Sequence, residues 1–313
     1  MKNKVDGSDQ LFGFINLFKP SGITSFDCIR RMRKIIGIKK IGHLGTLDPL
    51  ADGILPLAVG KATRLIPYIE KARKKYQSEF LLGTTTSTDD IEGEITGEKD
   101  CRKFEIQTLQ EVLKKFTGKI SQVPPAVSAV KINGQRAYKM AREGRKVEIS
   151  PRRVEVFELE LLRYEHPVFE ILCSVSPGTY IRSIARDVGT ILGCGAVVKT
   201  LRRLESGTFR IDSSVTFNDF ESNADIHQFL ISPEKILKGF PRIVLDKPGS
   251  SLVKNGRAVC RKNVVGFENS EHPSLKIAVF DYNEKLVAMA REEEGLFVPE
   301  KVFITTRGEG EII

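Results

Sequence analysis

The chain has 313 residues, with 49 Lys+Arg against 40 Asp+Glu for a net charge of +9. At 41% hydrophobic and 28% charged it can bury a sizeable core, which excludes wholesale disorder. It has no apolar run near the roughly 18 residues of a membrane span, no C-x-x-C pair among its cysteines, and no secretory pattern at the N-terminus.

These limits point to a cytoplasmic protein with reduced, mostly buried thiols. Its length suggests two domains, or one large domain with an appendage. An early strand is expected at FGFINLF, ending in the Lys19-Pro20-Ser21-Gly22 turn. Ser25 reads as a helix N-cap; Phe26, Ile29, Arg33 and Ile36 follow at helical spacing, and Gly37 closes the helix. Most cations of RRMRKIIGIKK fall off that stripe and give the helix a basic outer face. The Gly- and Pro-dense stretch GHLGTLDPLADGILPLAVGKATRLIPYI reads as an irregular loop leading into a buried segment. Residues 76–82 alternate as a strand. Thr108 and Glu111 have the spacing of a capping box, predicting a helix that runs to Gly118.

Residues 121–152 hold two adjacent prolines and many cations with little apolar periodicity, so a basic excursion outside the core is expected. A strand is predicted over Phe169–Val175 and a turn at Pro177-Gly178. A helix with an Ile181, Ile184, Ala185, Val188 and Leu192 stripe follows, and on it Arg182 and Arg186 stand one turn apart. After about residue 240 the short runs RIVLD, LKIAVFDYN, KLVAMAR and KVFI predict an all-β module of about 70 residues, close to the lower limit for folding alone.

Cations cluster at 30–40, 71–76, 132–146 and 201–203. Any one cluster fits a solvated helix face; four together favour a polyanionic partner, without separating DNA from RNA or an enzyme from a binder. Gly60-Lys61-Ala62 is not a P-loop, and the zinc-deaminase, dinucleotide-binding and G-x-S-x-G signatures are absent. The four histidines have no metal spacing. What remains is Gly42-His43-Leu44-Gly45-Thr46-Leu47-Asp48-Pro49-Leu50-Ala51-Asp52-Gly53. Asp-Pro is a common turn pair, but an acid among glycines and leucines in a basic chain is also placed to meet a desolvated substrate.

GHLGTLDPLADGILPLAVGKATR, KKYQ, GTTTSTDDIEGEI, PPAVSAVKINGQRAY, GTYIRSIARDVG and GAVVKTLRRLESGTF occur in that order. Together they resemble the TruB family of tRNA pseudouridine synthases, from about Phe14 to Phe209 and more weakly beyond. The resemblance implies isomerisation of uridine 55 in the tRNA T-loop to pseudouridine, without cofactor or metal. It implies an α+β catalytic domain over 1–240, with a mixed, largely antiparallel sheet, flanking helices and a basic RNA-clamping insert at about 124–152. A small β-rich PUA-like RNA-binding domain would occupy 241–313.

By the same resemblance Asp48 is the essential aspartate, ionised to act as a nucleophile, with attack at C6, attack at C1′ and a glycal route all left open. Arg182 is its guanidinium partner, and Tyr76 stacks on the flipped uracil and is a candidate for moving a proton. His43 fills the space the uridine leaves, Leu201 is an apolar pocket wall, and Lys19 supports Tyr76 or the loop. Tyr180 and Arg64 are also expected to bind substrate. Two departures stand out. Asp52 replaces a frequent threonine and would raise the pKa of Asp48 if turned inward; Ser87 replaces a frequent acid, while Asp90 keeps the next one. The expected partner is the tRNA T-arm, bound by a monomer with no protein partner. The rival readings are a tRNA-folding chaperone and a synthase guided by a separate RNA.

Overall fold

The computed structural model describes residues 11–128, 131–132, 135–136, 149–222, 225–268 and 276–304. Its larger unit is a sheet of nine strands. In chain order these begin with β1 (Phe12–Lys19), β2 (Ile41–His43), β3 (Asp52–Gly60) and β4 (Lys74–Leu82). A small separate ribbon follows, β5 (Thr84–Thr86) with β6 (Ile95–Glu98). The large sheet continues with β7 (Gly118–Gln122). A two-stranded hairpin, β8 (Lys131–Ile132) and β9 (Gln135–Arg136), stands apart from it. β10 (Arg152–Glu165), β11 (Val168–Val175), β12 (Ala196–Ser206) and β13 (Phe209–Arg210) complete the sheet.

The strand order is β1-β3-β12-β4-β11-β10-β7, with β2 added to β3 and β13 to β12. Every pairing is antiparallel except β3 with β12, which touch through Asp52–Arg202 and Gly53–Arg203. Gly53 permits this approach: it has a φ of 100°, and a Cβ there would lie 2.3 Å from the Arg203 carbonyl oxygen. The sheet is thus mixed and largely antiparallel, as expected.

Three helices, α1 (Ser25–Ile36), α2 (Ile106–Lys114) and α3 (Ile181–Leu192), pack on it and close a core that includes Leu17, Met32, Phe80, Leu109, Ile171 and Ile184. A second sheet of six strands begins at β14 (Arg242–Leu245). It is joined by α4 (Lys247–Lys254), β15 (Val259–Cys260), β16 (Val264–Glu268), β17 (Lys276–Phe280), β18 (Leu286–Glu293) and β19 (Leu296–Val302). It has its own core around Ile243, Val279 and Val287. A further cluster joins Phe14, Leu44 and Leu65 of the large unit to Phe240, Phe280 and Phe303. The β module therefore shares apolar surface with the unit before it, which relieves a small module of having to bury everything alone.

Several local expectations need correction. The cap of α1 is Thr24, in a reciprocal capping box with Asp27, and Ser25 is the first helical residue. Phe26 is off the buried stripe, which is Ser25, Cys28, Ile29 and Met32. α2 starts after Glu105 with no side-chain cap, Thr108 lies inside it, and Gly118 belongs to β7. The stretch 52–60 is a buried strand; the irregular part is limited to 44–51. β10 and α4 carried no clear signal, because β10 is mostly polar and α4 opens with Lys-Pro-Gly, where Asp246 caps the Gly249 amide. Cys101 and Cys194 are joined by a disulfide, against the expectation of reduced thiols throughout, while Cys28, Cys173 and Cys260 are free. Half of the basic excursion, residues 129–130, 133–134 and 137–148, lies outside the described residues. Among the described residues, no helix is long and apolar enough to cross a membrane.

Candidate active site

Loop 44–51 sits against the edge of β3 that faces away from β1, between the stretches that β2 and β12 cover. β2 covers residues 57–59 of β3 and β12 covers 52–53, leaving 54–56 to other partners. Pro56 falls in this gap, where a missing backbone donor costs no ladder bond on that side. The Pro56 carbonyl there accepts from Leu44 N–H at 2.9 Å.

The loop is tethered from three directions. Ser25 Oγ donates to Leu47 O at 3.0 Å and accepts from Leu47 N at 2.8 Å. Lys19, fully buried, donates Nζ to the carbonyls of Pro20, Ile23 and Pro49 at 2.9, 2.7 and 3.2 Å. Burial pushes its ammonium pKa down, opposed by Cys28, Asp52 and Asp48. The third tether is Arg203, the largest fully buried side chain, donating to Ile54 O at 2.8 Å, Gly45 O at 3.1 Å and Thr46 O at 3.4 Å. Both buried cations are satisfied by peptide carbonyls, which avoids the cost of an unpaired buried donor.

These tethers fix Asp48 against α3. Arg182 Nε lies 2.9 Å from Asp48 Oδ2, and Nη1 lies 3.3 Å from Asp90 Oδ2. The Nε–H is off line for a hydrogen bond to Asp48, so the contact is an ion pair set by proximity. Arg182 also donates to Thr88 O at 2.9 Å and Val127 O at 3.1 Å. Its side chain is only 6% exposed, against 33% for Asp48: the guanidinium is locked in, while the carboxylate stays reachable. Enclosure by protein pushes the Asp48 carboxyl up; Arg182 pulls it back and Asp90 adds to the rise.

Asp90 is itself held by Thr88 Oγ1 at 2.6 Å and the Glu92 amide at 3.1 Å. One helical turn beyond Arg182, Arg186 grips Asp89 at 2.9 Å and Val123 O at 2.8 Å. The two arginines that the spacing places together thus bind adjacent acids of one loop. In that loop Ser87 Oγ accepts from the Glu94 amide at 3.1 Å, a contact an acid could also make.

Tyr76, on β4, lies between Cys173 of β11 and Arg203 of β12. Burial pushes its phenol up, with the Arg203 guanidinium opposing. His43 ends β2, and its Nδ1 accepts from Gly45 N at 3.2 Å, which assigns the proton to Nε2. Burial, then Arg203, lowers the His43 pKa and keeps the ring neutral. Tyr180 precedes α3 and exchanges backbone bonds with the Gln122 side chain at 2.8 and 3.1 Å; burial raises its phenol too. Leu201 is buried on β12 opposite Ser78 of β4.

Arg64 is placed elsewhere, donating to Val302 O at 2.6 Å beside the Phe303 ring. Asp52 does not point at Asp48: its two oxygens accept from Arg202 Nε at 2.8 Å and Nη2 at 2.7 Å. Arg203 went unrecognised as a site residue because it sits in a run of cations. The period of a strand carried the missing signal, since Arg202 and Arg203 must face opposite ways. Among the described residues, no three or more His, Cys, Asp or Glu side chains gather as a metal site.

Residues 33–181 match the family described as TruB family pseudouridylate synthase (N terminal domain). Residues 182–237 match the tRNA pseudouridylate synthase B C-terminal domain. The chain is 43% identical over 298 residues to a tRNA pseudouridine synthase B of Carboxydothermus hydrogenoformans, covering 93% of this chain and 98% of that one. It is 40% identical over 253 residues to the protein of the same name from Clostridium tetani, covering 81% and 87%. A solved Cbf5-Nop10-Gar1 complex superposes with a TM-score of 0.73 at 27% identity, covering 95% of this chain and 86% of the matched one. Joined to the antiparallel sheet and the tethered Asp48 loop, these matches show that the chain belongs to the TruB family of pseudouridylate synthases.

Proposed function

We propose that the chain isomerises uridine 55 in the T-loop of tRNA to pseudouridine, with Asp48 as nucleophile. The observation that carries this reading is the Asp48–Arg182 pair, a reachable carboxylate on a buried guanidinium that two backbone carbonyls hold in place. It is supported by relatives of about 40% identity that are tRNA pseudouridine synthases by name.

The reaction breaks the N1–C1′ bond, turns the uracil in place and joins C5 to C1′. N1 gains a proton and the C5 proton leaves to solvent, so no oxidant or group donor enters. Flipping the uridine out costs a few kcal/mol, offset by stacking and phosphate contacts. Ionised Asp48 opens the sequence, and Arg182 holds it charged against the enclosure that would neutralise it. Tyr76 has a raised phenol, which suits a protonated ring that stacks on the uracil more than a phenolate base. His43, neutral and anchored to Gly45, would occupy the space of the flipped nucleotide, and Leu201 would wall the pocket. Lys19 supports the loop through Pro49, and Tyr180 borders the pocket at the start of α3.

In this reading residues 1–240 do the chemistry and the sheet from Arg242 onward is a PUA-like RNA-binding module. Arg64, exposed at the seam between them, is available to a phosphate. The insert at about 124–152 clamps the T-arm, and a monomer acts without guide RNA or protein partner. The test is tritium release from a tRNA transcript labelled at C5 of uridine, with no metal, nucleotide or guide added. Release that disappears when uridine 55 is replaced by cytidine is expected. Salt-sensitive tRNA binding without release would contradict catalysis.

A further inference from the structure

Helix α1 contains an aromatic residue that its packing does not use. Its buried side is Ser25, Cys28, Ile29 and Met32, while Phe26 leaves 58% of its surface in water. The guanidinium carbons of Arg30 and Arg33 lie 5.9 and 6.0 Å from its ring centroid. Positions 26, 30 and 33 form one stripe of the helix, and Lys34 follows Arg30 by one turn on the exposed surface.

Arg31 is already used within the fold: it lies 4.3 Å over the Phe217 ring and pairs with Glu221 at 2.8 Å. Arg30 pairs with Asp27, the capping acid, and still keeps 63% of its side chain exposed. The ring therefore sits in a field of cations rather than in an apolar patch. That charge pattern suits a flat base with an attached phosphate better than a protein surface, which would bring contiguous apolar area.

The position matters as much as the chemistry. Phe26 follows Ser25, whose hydroxyl holds both the N–H and the carbonyl of Leu47, and Leu47 precedes Asp48. The exposed ring and the reactive carboxylate are thus fixed to the same pair of hydrogen bonds.

We infer that Phe26, with Arg30 and Lys34, forms a subsite for an unpaired nucleotide flanking the target uridine, stacking its base on the ring and meeting its phosphate with the two cations. This rests on the proposed action on the tRNA T-loop. The subsite binds RNA and positions it; it takes no part in bond making.

The test uses the full chain with Asp48→Asn, so that complexes do not turn over, and an unmodified tRNA transcript. 2-Aminopurine is placed in turn on each side of the target uridine, and both Kd and fluorescence are read. Adding Phe26→Ala is expected to weaken binding about 5- to 150-fold, the range of one base–aromatic stack. It should also abolish the quenching at one of the two positions, whereas Phe26→Trp should keep both. Adding Lys34→Gln should lower the slope of log K against log salt by about one. Because Phe26 is exposed, its replacement should leave the thermal midpoint in place. A Kd within twofold of the parent with quenching unchanged at both positions would overturn the subsite. A wild-type chain that releases no tritium, with transcript binding independent of the T-arm, would overturn the functional reading instead.

Discussion

Loop 44–51 is held by side chains that reach its backbone, whereas the C-terminal sheet is held by side chains packed against each other. Lys19, Ser25 and Arg203 each donate to named carbonyls of the loop and leave the Asp48 side chain free toward Arg182. At the seam, Phe14, Phe240, Phe280 and Phe303 exclude water without fixing any one polar atom. Hydrogen bonds set directions and are costly to leave half-made; apolar packing sets proximity and tolerates small shifts. Changes in the loop should therefore act on rate, and changes in the seam on stability.

The largest effect is expected from Arg182→Met. It removes the charge beside Asp48 and Asp90 and leaves Thr88 O and Val127 O without their donor. Single-turnover tritium release should fall by at least about 10³-fold, near 4 kcal/mol of barrier. The residual activity should show its acid limb at higher pH, because the guanidinium favours the charged carboxylate. Asp90→Asn removes a like charge and should move that limb the other way, to lower pH, in a pH profile of kcat/KM.

Phe303→Ala should cost about 3 kcal/mol of stability in denaturant titration, the usual cost of a cavity left by a buried phenyl ring. Activity per folded molecule should change little; a rate loss as large as that of Arg182→Met would break the contrast between seam and loop. Lys19→Met keeps the length of the stem and removes three bonds to carbonyls. It should cost about 2 kcal/mol and lower kcat more than it raises KM.

Asp52→Thr should have the smallest effect, under about 1 kcal/mol, since its partner Arg202 is half exposed. The pH profile should stay where it is. A shifted profile would mean that Asp52 does reach the field of Asp48.

The parts of the fold legible in the sequence are those whose pattern is local. The strand over Phe169–Val175, the helix after Gly178 and the late β runs all repeat at the spacing their neighbours require. β10 was hidden because most of its side chains face water or other polar groups, so its place is set by pairing with β7 and β11. Thr108 and Glu111 had the spacing of a cap inside a helix that had already begun.

The site divides the same way. The family resemblance marked Asp48 and Arg182, and the structure brings them together. Arg203 and Asp90 depend on long-range geometry: a buried strand position in one case, a turn folded back toward α3 in the other. Arg64 shows the converse, a cation that ends the signature stretch and whose contacts lie at the seam. The disulfide between Cys101 and Cys194 spans 93 residues, a separation at which spacing carries no signal.

The most direct test compares wild type with Asp48→Asn in single-turnover tritium release from a C5-labelled, unmodified tRNA transcript, with binding of both proteins measured alongside. The account predicts release from the T-loop uridine by wild type, none above background by Asp48→Asn, and tRNA affinities within a few fold of each other. Equal release by the two proteins would contradict it, leaving Asp48 as a loop residue held by Arg182 for structural reasons alone.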